Sequence, residues 1–251
     1  MVLRAAFVGI AVLVALFLAA NLHVAGFSFR PLEIRLSSRV NVPTPTPIAT
    51  EEMAAHLPLP TGKYPWHENI RATVFWIGED ANSSNANISN AETFWDDRAQ
   101  ETFGGVDGLA DNLSFSPGFN RYYAALPAAD YRKENIEGAK AKSYWTISTD
   151  GKTSAFKGRW IQVVSGQKTS YVQWADVGPY LENDFDYVFG LAKPKNPEGL
   201  RAGLDLSPLA AKSLGFTDGY KLVAWRFVDA EEVPNGAWSN YPPISNLTNW
   251  H

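Results

Sequence analysis

Two aspartates stand in short motifs that could support acid–base chemistry. The first motif reads Val172-Gln-Trp-Ala-Asp176-Val-Gly-Pro-Tyr180, and the second reads Gly203-Leu-Asp205-Leu-Ser207-Pro208. A carboxyl group can act as a general acid or a general base. Each aspartate also has a structural interpretation, which the local sequence leaves open. Asp176 can form the turn before Gly-Pro, and Asp205 can stabilise the start of a following helix by about 0.3–1 kcal/mol.

The elements that would position these motifs are predicted to be mainly β-strands, because β-branched and aromatic runs alternate with turn residues. One helix is predicted, with Ser207 as its N-cap, Pro208 as its first residue and Gly215 as its stop. A long loop, Glu79–Arg121, is predicted to pack against the body through its aromatic residues. The predicted strands are Arg71–Ile77, Tyr122–Leu126, a hairpin of Lys157–Val164 with Lys168–Ala175, and Tyr220–Val228.

The first part of the chain is predicted to direct export. Arg4 precedes the apolar run Ala5–Ala20, so residues 1–26 are interpreted as a signal peptide or as a membrane anchor. Residues 27–65 contain Val42-Pro-Thr-Pro-Thr-Pro-Ile48 and are interpreted as a Pro-rich stalk. The predicted domain covers residues 66–240, and residues 241–251 form a tail. The protein is expected in the periplasm or outside the cell, tethered by residues 5–26 if these are not cleaved.

Composition narrows the function classes. The chain has 251 residues, a formal net charge of -4, no Cys and four His. Nucleic-acid binding is not expected, because phosphate binding needs clustered Lys and Arg. Without Cys there can be no disulfide, thiolate nucleophile or zinc finger. We predict no metal site and no cofactor.

The stretch from Tyr171 to Val228 resembles the double-psi β-barrel shared by rare lipoprotein A, the expansins and the family-45 endoglucanases. Asp176-Val-Gly-Pro-Tyr180 is similar to the Asp-Arg-Gly-Pro-Phe element of rare lipoprotein A. Leu204-Asp-Leu-Ser-Pro208 is similar to the matching element of bacterial expansins. The resemblance implies an all-β fold, a six-stranded double-psi β-barrel with one short helix and a long decorating loop, preceded by the N-terminal hydrophobic segment.

The resemblance also implies a sugar-polymer site. Asp176 and Asp205 match positions that line one groove in this superfamily and are the implied catalytic residues. Trp174, two residues before Asp176 and therefore expected on the same side of its strand, is a candidate sugar contact together with Tyr180. A Trp in a barrel strand is more often a core residue, so Tyr180, in the turn after Asp176, is the better candidate. We hypothesise that like-charge repulsion raises the pKa of one aspartate. The helix N-terminus would keep Asp205 ionised, which leaves Asp176 as the protonated acid.

These expectations lead to two alternative functions. The first is binding or remodelling of a cell-wall polysaccharide, peptidoglycan before others, either as a lytic transglycosylase or as a non-hydrolytic expansin-like protein. Rare lipoprotein A carries a functional His in the strand that matches Tyr122–Leu126, where this chain has none, so cleavage stays open. The second is a catalytically inactive barrel that acts as an envelope interaction module. An open groove favours the first function, and a groove filled by Glu79–Arg121 or Leu181–Arg201 favours the second.

Overall fold

The computed structural model describes residues 59–82, 88–107, 117–196 and 201–249. The predictions for residues 1–26 and for most of the 27–65 stalk lie outside this part of the chain. None of the helices in the described ranges has the length and apolar character needed to cross a membrane.

Six strands close into one barrel in the part of the chain that the structure describes. Around the barrel their order is β1–β5–β2–β4–β3–β6. The strands are β1 His67–Val74, β2 Tyr123–Leu126, β3 Trp160–Ser165, β4 Lys168–Val177, β5 Leu204–Leu206 and β6 Tyr220–Val228.

The barrel is mixed. β1 pairs with β5, and β2 with β4, in parallel, whereas the other four neighbouring pairs are antiparallel. This arrangement confirms the predicted all-β class and the closed six-stranded barrel. Strands from distant parts of the sequence lie side by side, so residues far apart in the chain come together on β2 and its two neighbours.

The barrel interior is filled by residues that alternate along the strands. In β6 the inward residues are Val223, Trp225 and Phe227, all buried, as their alternation in the sequence predicts. Burying a large aromatic side chain removes much apolar surface from water and stabilises the fold accordingly. The core therefore consists largely of stacked and edge-packed aromatic rings, among them Trp95, Phe156, Trp174, Tyr187 and Phe189.

The predicted helix is present as α4, Pro208–Ser213. The Ser207 hydroxyl accepts the backbone N–H of Ala210, and Gly215 follows with a φ of 77°. The described part of the chain holds three further α-helices that the prediction of one helix misses. These are α1 Ala99–Phe103, α2 Lys133–Lys142 and α3 Phe185–Val188. Two short 3-10 helices, Ala230–Glu232 and Ala237–Asn240, follow β6.

Segments outside the strands pack on the barrel. In the described part of the long loop, Phe103 of α1 forms a second cluster with Tyr123 and Ala125 on the outer face. Tyr64, which precedes the predicted domain boundary at residue 66, is buried in the core. In the tail, the backbone N–H of Ile244 donates to the side chain of Gln173. Loop and tail are therefore part of the packed domain.

Candidate functional site

The two predicted aspartates flank one residue of the central strand β2. Ala125 pairs with Asp176 of β4 on one side and with Asp205 of β5 on the other. Beyond Asp205, β1 contributes Thr73, and β6 then contributes Tyr220. Because directly paired residues face the same side of a sheet, these five residues form one row across the outside of the barrel, which we call the outer row. With strands about 4.8 Å apart, the outer row is about 19 Å long.

A β-bulge in β4 turns Asp176 toward this outer face. The register shifts so that Ala124 pairs with Trp174, whereas Ala125 pairs with Asp176. Strict alternation, on which the sequence prediction rests, would place Trp174 and Asp176 on the same side. The extra residue of the bulge, Ala175, separates them, so the indole faces the core and the carboxyl group faces outward.

Trp174 belongs to the core. Its side chain is 0% exposed and stacks on Phe156 with 4.9 Å between ring centroids. The ring has no surface to present to a sugar, so we assign Trp174 to the core and not to the sugar contacts predicted from the sequence. Its indole N–H donates to the carbonyl oxygen of Asp176 at 2.8 Å. Trp174 thus holds the main chain that carries the aspartate.

Asp176 is held by a residue of the long loop. Its Oδ1 accepts the backbone N–H of Phe94 at 2.6 Å and that of Val177 at 2.8 Å. The loop therefore packs against one side of this carboxyl group. Within the described ranges no residue hydrogen-bonds Oδ2, and Asp176 is partly exposed. One carboxyl oxygen is thus free to act on a ligand.

Asp205 is held by a residue of the neighbouring strand β1. The hydroxyl of Thr73 donates a short hydrogen bond to its Oδ1. A methyl group placed on Gly178 would lie 3.7 Å from Oδ2, so the turn after β4 passes beside this oxygen. Tyr180 in the same turn is 59% exposed. Tyr180 therefore stays a candidate sugar contact.

Burial raises the pKa of both carboxyl groups. The pKa of Asp176 rises from 3.8 to about 7, and that of Asp205 rises to about 6. The two N–H donors lower the pKa of Asp176, and the nearby charge of Asp205 raises it by a smaller amount. The Thr73 hydroxyl offsets part of the effect of burial on Asp205. Near neutral pH, both carboxyl groups therefore keep a proton more readily than an exposed aspartate does.

The cause of the raised pKa values differs from the one hypothesised from the sequence. Burial, and not charge repulsion, is the main reason for the raised pKa of Asp176. The partner that favours the ionised form of Asp205 is Thr73. The N-cap of α4 is Ser207. Asp205 does not cap the helix, because it lies in β5 before it.

Replacing Thr73 by valine is expected to raise the pKa of Asp205 further. Valine keeps the shape of threonine but cannot donate to the carboxylate, so the ionised form loses its hydrogen bond. Carboxyl carbon chemical shifts, followed by NMR as a function of pH, would measure the change. Thr169→Val, at an exposed position of β4, is the matched control. An unchanged titration of Asp205 in Thr73→Val would contradict the assigned role of the hydroxyl.

Sequence reasoning misses Thr73 and Phe94 as parts of the site. Threonine is common in strands, so nothing in the sequence marks Thr73. Phe94 acts through its backbone N–H, which every residue except proline has. Among the described residues, no group of three or more His, Asp or Glu side chains is arranged to bind a metal ion.

Comparisons with known proteins assign no function to this site. No protein-family model matches this chain, and a search of curated proteins finds no significant match.

Proposed function

We propose that this protein is an exported cell-envelope protein that binds or remodels a cell-wall polysaccharide, with peptidoglycan as the first candidate, through the outer row. The observation that carries the proposal is the placement of Asp176 and Asp205 on either side of Ala125 on one face. Burial raises the pKa of Asp176 to about 7 and that of Asp205 to about 6. Near pH 6.5 the pair can thus hold one protonated and one ionised carboxyl group.

This pair has the protonation states that cleavage of a glycosidic bond needs. Asp176 would donate its proton from Oδ2 to the leaving-group oxygen. The Asp205 carboxylate would stabilise the positive charge that develops on the sugar ring, and would accept the proton of the attacking hydroxyl. The attacking group is a hydroxyl of the sugar itself in a lytic transglycosylase, and water in a hydrolase. In a non-hydrolytic protein, the same face binds the polymer without cleavage.

The resemblance to the double-psi barrels of rare lipoprotein A and the expansins supports this proposal. The closed mixed barrel, with parallel pairs β1–β5 and β2–β4, is compatible with that fold. In the resemblance, Asp176 and Asp205 match the acidic positions of the sugar-binding groove. The exposed Tyr180, in the turn after Asp176, adds an aromatic ring of the kind that packs on sugars.

A second function, an envelope interaction module without catalysis, is favoured by one observation. The backbone N–H of Phe94, from the long loop, occupies Oδ1 of Asp176. The loop also buries much of the outer face around Tyr123 and Ala175. A loop that closes the groove to a polymer would leave a surface suited to a protein partner instead.

The test is a pull-down of the full chain with insoluble peptidoglycan and with cellulose, followed by mass spectrometry of soluble products. Asp176→Asn and Asp205→Asn run alongside, with Asp218→Asn at an exposed loop position as the control. We expect binding to peptidoglycan. Anhydro-muropeptides that both site variants lose and the control keeps would establish a lytic transglycosylase. Binding without products would establish a non-hydrolytic role. Absence of binding to both polymers would overturn the polysaccharide proposal in favour of the interaction module.

A further inference from the structure

An arginine stacks on an aromatic ring at the Tyr220 end of the outer row. The Arg71 guanidinium lies 4.6 Å from the centroid of the Tyr220 ring, and Tyr220 is 40% exposed. Arg71 precedes Thr73 by two residues in β1, so both side chains face outward. Arg71 forms no ion pair with any residue that the structure describes. The planar guanidinium group of Arg71 is therefore available to bind a carboxylate, beside the Tyr220 ring on which a sugar can pack.

A second arginine lies near the Asp176 end of the outer row. The Arg132 guanidinium is 4.7 Å from the centroid of the Phe94 ring, and Phe94 is the residue whose N–H binds Asp176. Arg132 is also paired with Glu182 at 3.5 Å, and both side chains are about a third to a half exposed. Exposed ion pairs contribute only about 0–1 kcal/mol, so a ligand carboxylate can replace Glu182 at little cost.

A cavity opens beside Arg132. It has a volume of about 570 Å³ and lies between α2 and the segment 148–154. Its lining includes the cationic side chains of Arg132, Lys133 and Lys140 and several hydroxyl groups, among them those of Ser148, Thr149 and Thr153. A cavity of this size accommodates a sugar with its substituents.

The acidic groups of the cavity are already engaged. Glu137 is paired with Lys140 at 3.2 Å. Asp130 is buried and accepts hydrogen bonds from Trp95 and Ser154, and burial raises its pKa. Lys133 has no ion-pair partner in the described part of the chain. Because Glu137 engages Lys140, the cationic side chains that the cavity offers to a ligand carboxylate are Arg132 and Lys133.

We propose that the outer row takes an acidic polysaccharide, whose carboxylates bind Arg71 at one end and the cavity at Arg132 and Lys133 at the other. The inference rests on the proposed function and deepens it by naming the charge of the polymer. Cationic groups lie at both ends of the row, and the two aspartates lie between them. Burial raises the pKa of Asp176 to about 7, so this carboxyl group carries less charge near neutral pH and repels an anionic polymer less.

The test compares two forms of one polymer that differ only in charge. Peptidoglycan freed of phosphate-containing polymers is used directly, and a second portion has its carboxyl groups converted to amides. Binding of the full chain to both portions is measured by co-sedimentation, for the wild type and for Arg71→Gln and Arg132→Gln. Lys212→Gln, at an exposed position of α4, is the matched control because it removes one positive charge outside the site.

We expect amidation to weaken binding of the wild type about a hundredfold, because it removes the carboxylate contacts at both ends of the row and each charge-assisted pair corresponds to about tenfold. Arg71→Gln and Arg132→Gln should each weaken binding to the native polymer and leave binding to the amidated polymer unchanged. Lys212→Gln should behave as the wild type. Equal binding to both portions would overturn the inference while the proposed function stands. No binding to either portion would overturn the proposed function itself.

Discussion

Replacing Trp174 by alanine is expected to lower the free energy of unfolding by about 3–5 kcal/mol, the range for removal of a buried large aromatic side chain. The ring is 0% exposed. It stacks on Phe156 at 4.9 Å and packs against Trp95 and Phe227 at 5.8 Å between ring centroids. Alanine would leave a cavity among these rings, because their positions are set by the barrel strands and the loops. Urea denaturation followed by circular dichroism measures the change.

Two further variants separate a core role from a sugar-binding role. Trp174→Phe keeps an aromatic ring in the core but loses the indole N–H that donates to the carbonyl oxygen of Asp176. We expect a smaller loss of stability, of about 1–3 kcal/mol, and unchanged polysaccharide binding. Tyr180→Ala is the opposite case, because Tyr180 is 59% exposed. Its stability should change by about 0.5 kcal/mol or less, whereas binding should weaken.

Two results would contradict the assignment of Trp174 to the core and of Tyr180 to the sugar contacts. If Trp174→Ala unfolds at the same urea concentration as the wild type, the indole does not lie in the core. If Trp174→Phe abolishes binding at full stability, the residue contacts the polymer as the sequence interpretation proposes. Both results come from urea denaturation and polysaccharide binding. Neither assay depends on whether the protein cleaves the polymer.

The sequence predicts well those elements whose start and end are determined by residues close to them in the chain. The helix α4 carries its own signals, with Ser207 before Pro208 and Gly215 after it, and it forms where they indicate. The helix α2, Lys133–Lys142, lacks such signals. Its only large apolar residue is Ile136, and it contains Gly138, a poor helix former. Its buried contacts are made by Asn135 and Ala139, which no apolar periodicity reveals.

Features that depend on strand register are not predictable from the sequence alone. The approach of Asp176 and Asp205 follows from the pairing of each with Ala125, and the resemblance to known barrels is what indicates it. The bulge at Ala175 inserts one residue and reverses the expected side of Trp174 relative to Asp176. A shift of one residue changes the face of every following side chain, and no local pattern marks where it occurs.

Replacing Asp176 by asparagine is expected to stabilise the protein at pH 8. Burial raises the pKa of Asp176 to about 7 in the folded protein, whereas the ordinary value is 3.8. The folded state thus holds a proton that the unfolded state releases, and the stability of the wild type falls as the pH rises from about 4 to about 7. Asparagine is neutral at every pH, and its side-chain oxygen can still accept the N–H groups of Phe94 and Val177.

The expected gain of Asp176→Asn over the wild type is about 2–4 kcal/mol at pH 8 and close to zero at pH 4, since one pKa unit corresponds to about 1.4 kcal/mol and the residue is partly exposed. The difference between the two proteins is the quantity to measure. His67 complicates either protein alone, because burial lowers its pKa to about 4. Its contribution to stability therefore rises with pH between about 4 and 6.5, opposite to that of Asp176, and cancels in the difference.

Asp218→Asn is the matched control, because Asp218 is exposed. Its stability difference from the wild type, measured at pH 4 and at pH 8, gives the background against which the difference for Asp176→Asn is compared. If Asp176→Asn shows no gain in stability at either pH, the carboxyl group titrates as an exposed one. Asp176 could not then serve as a proton donor near neutral pH. A gain confined to high pH would show that the fold keeps a carboxylic acid protonated on its outer face against a cost in stability. Such a cost is typical of a functional group. If the carboxyl group had only a structural role, replacing it by asparagine would stabilise the protein without any loss of function.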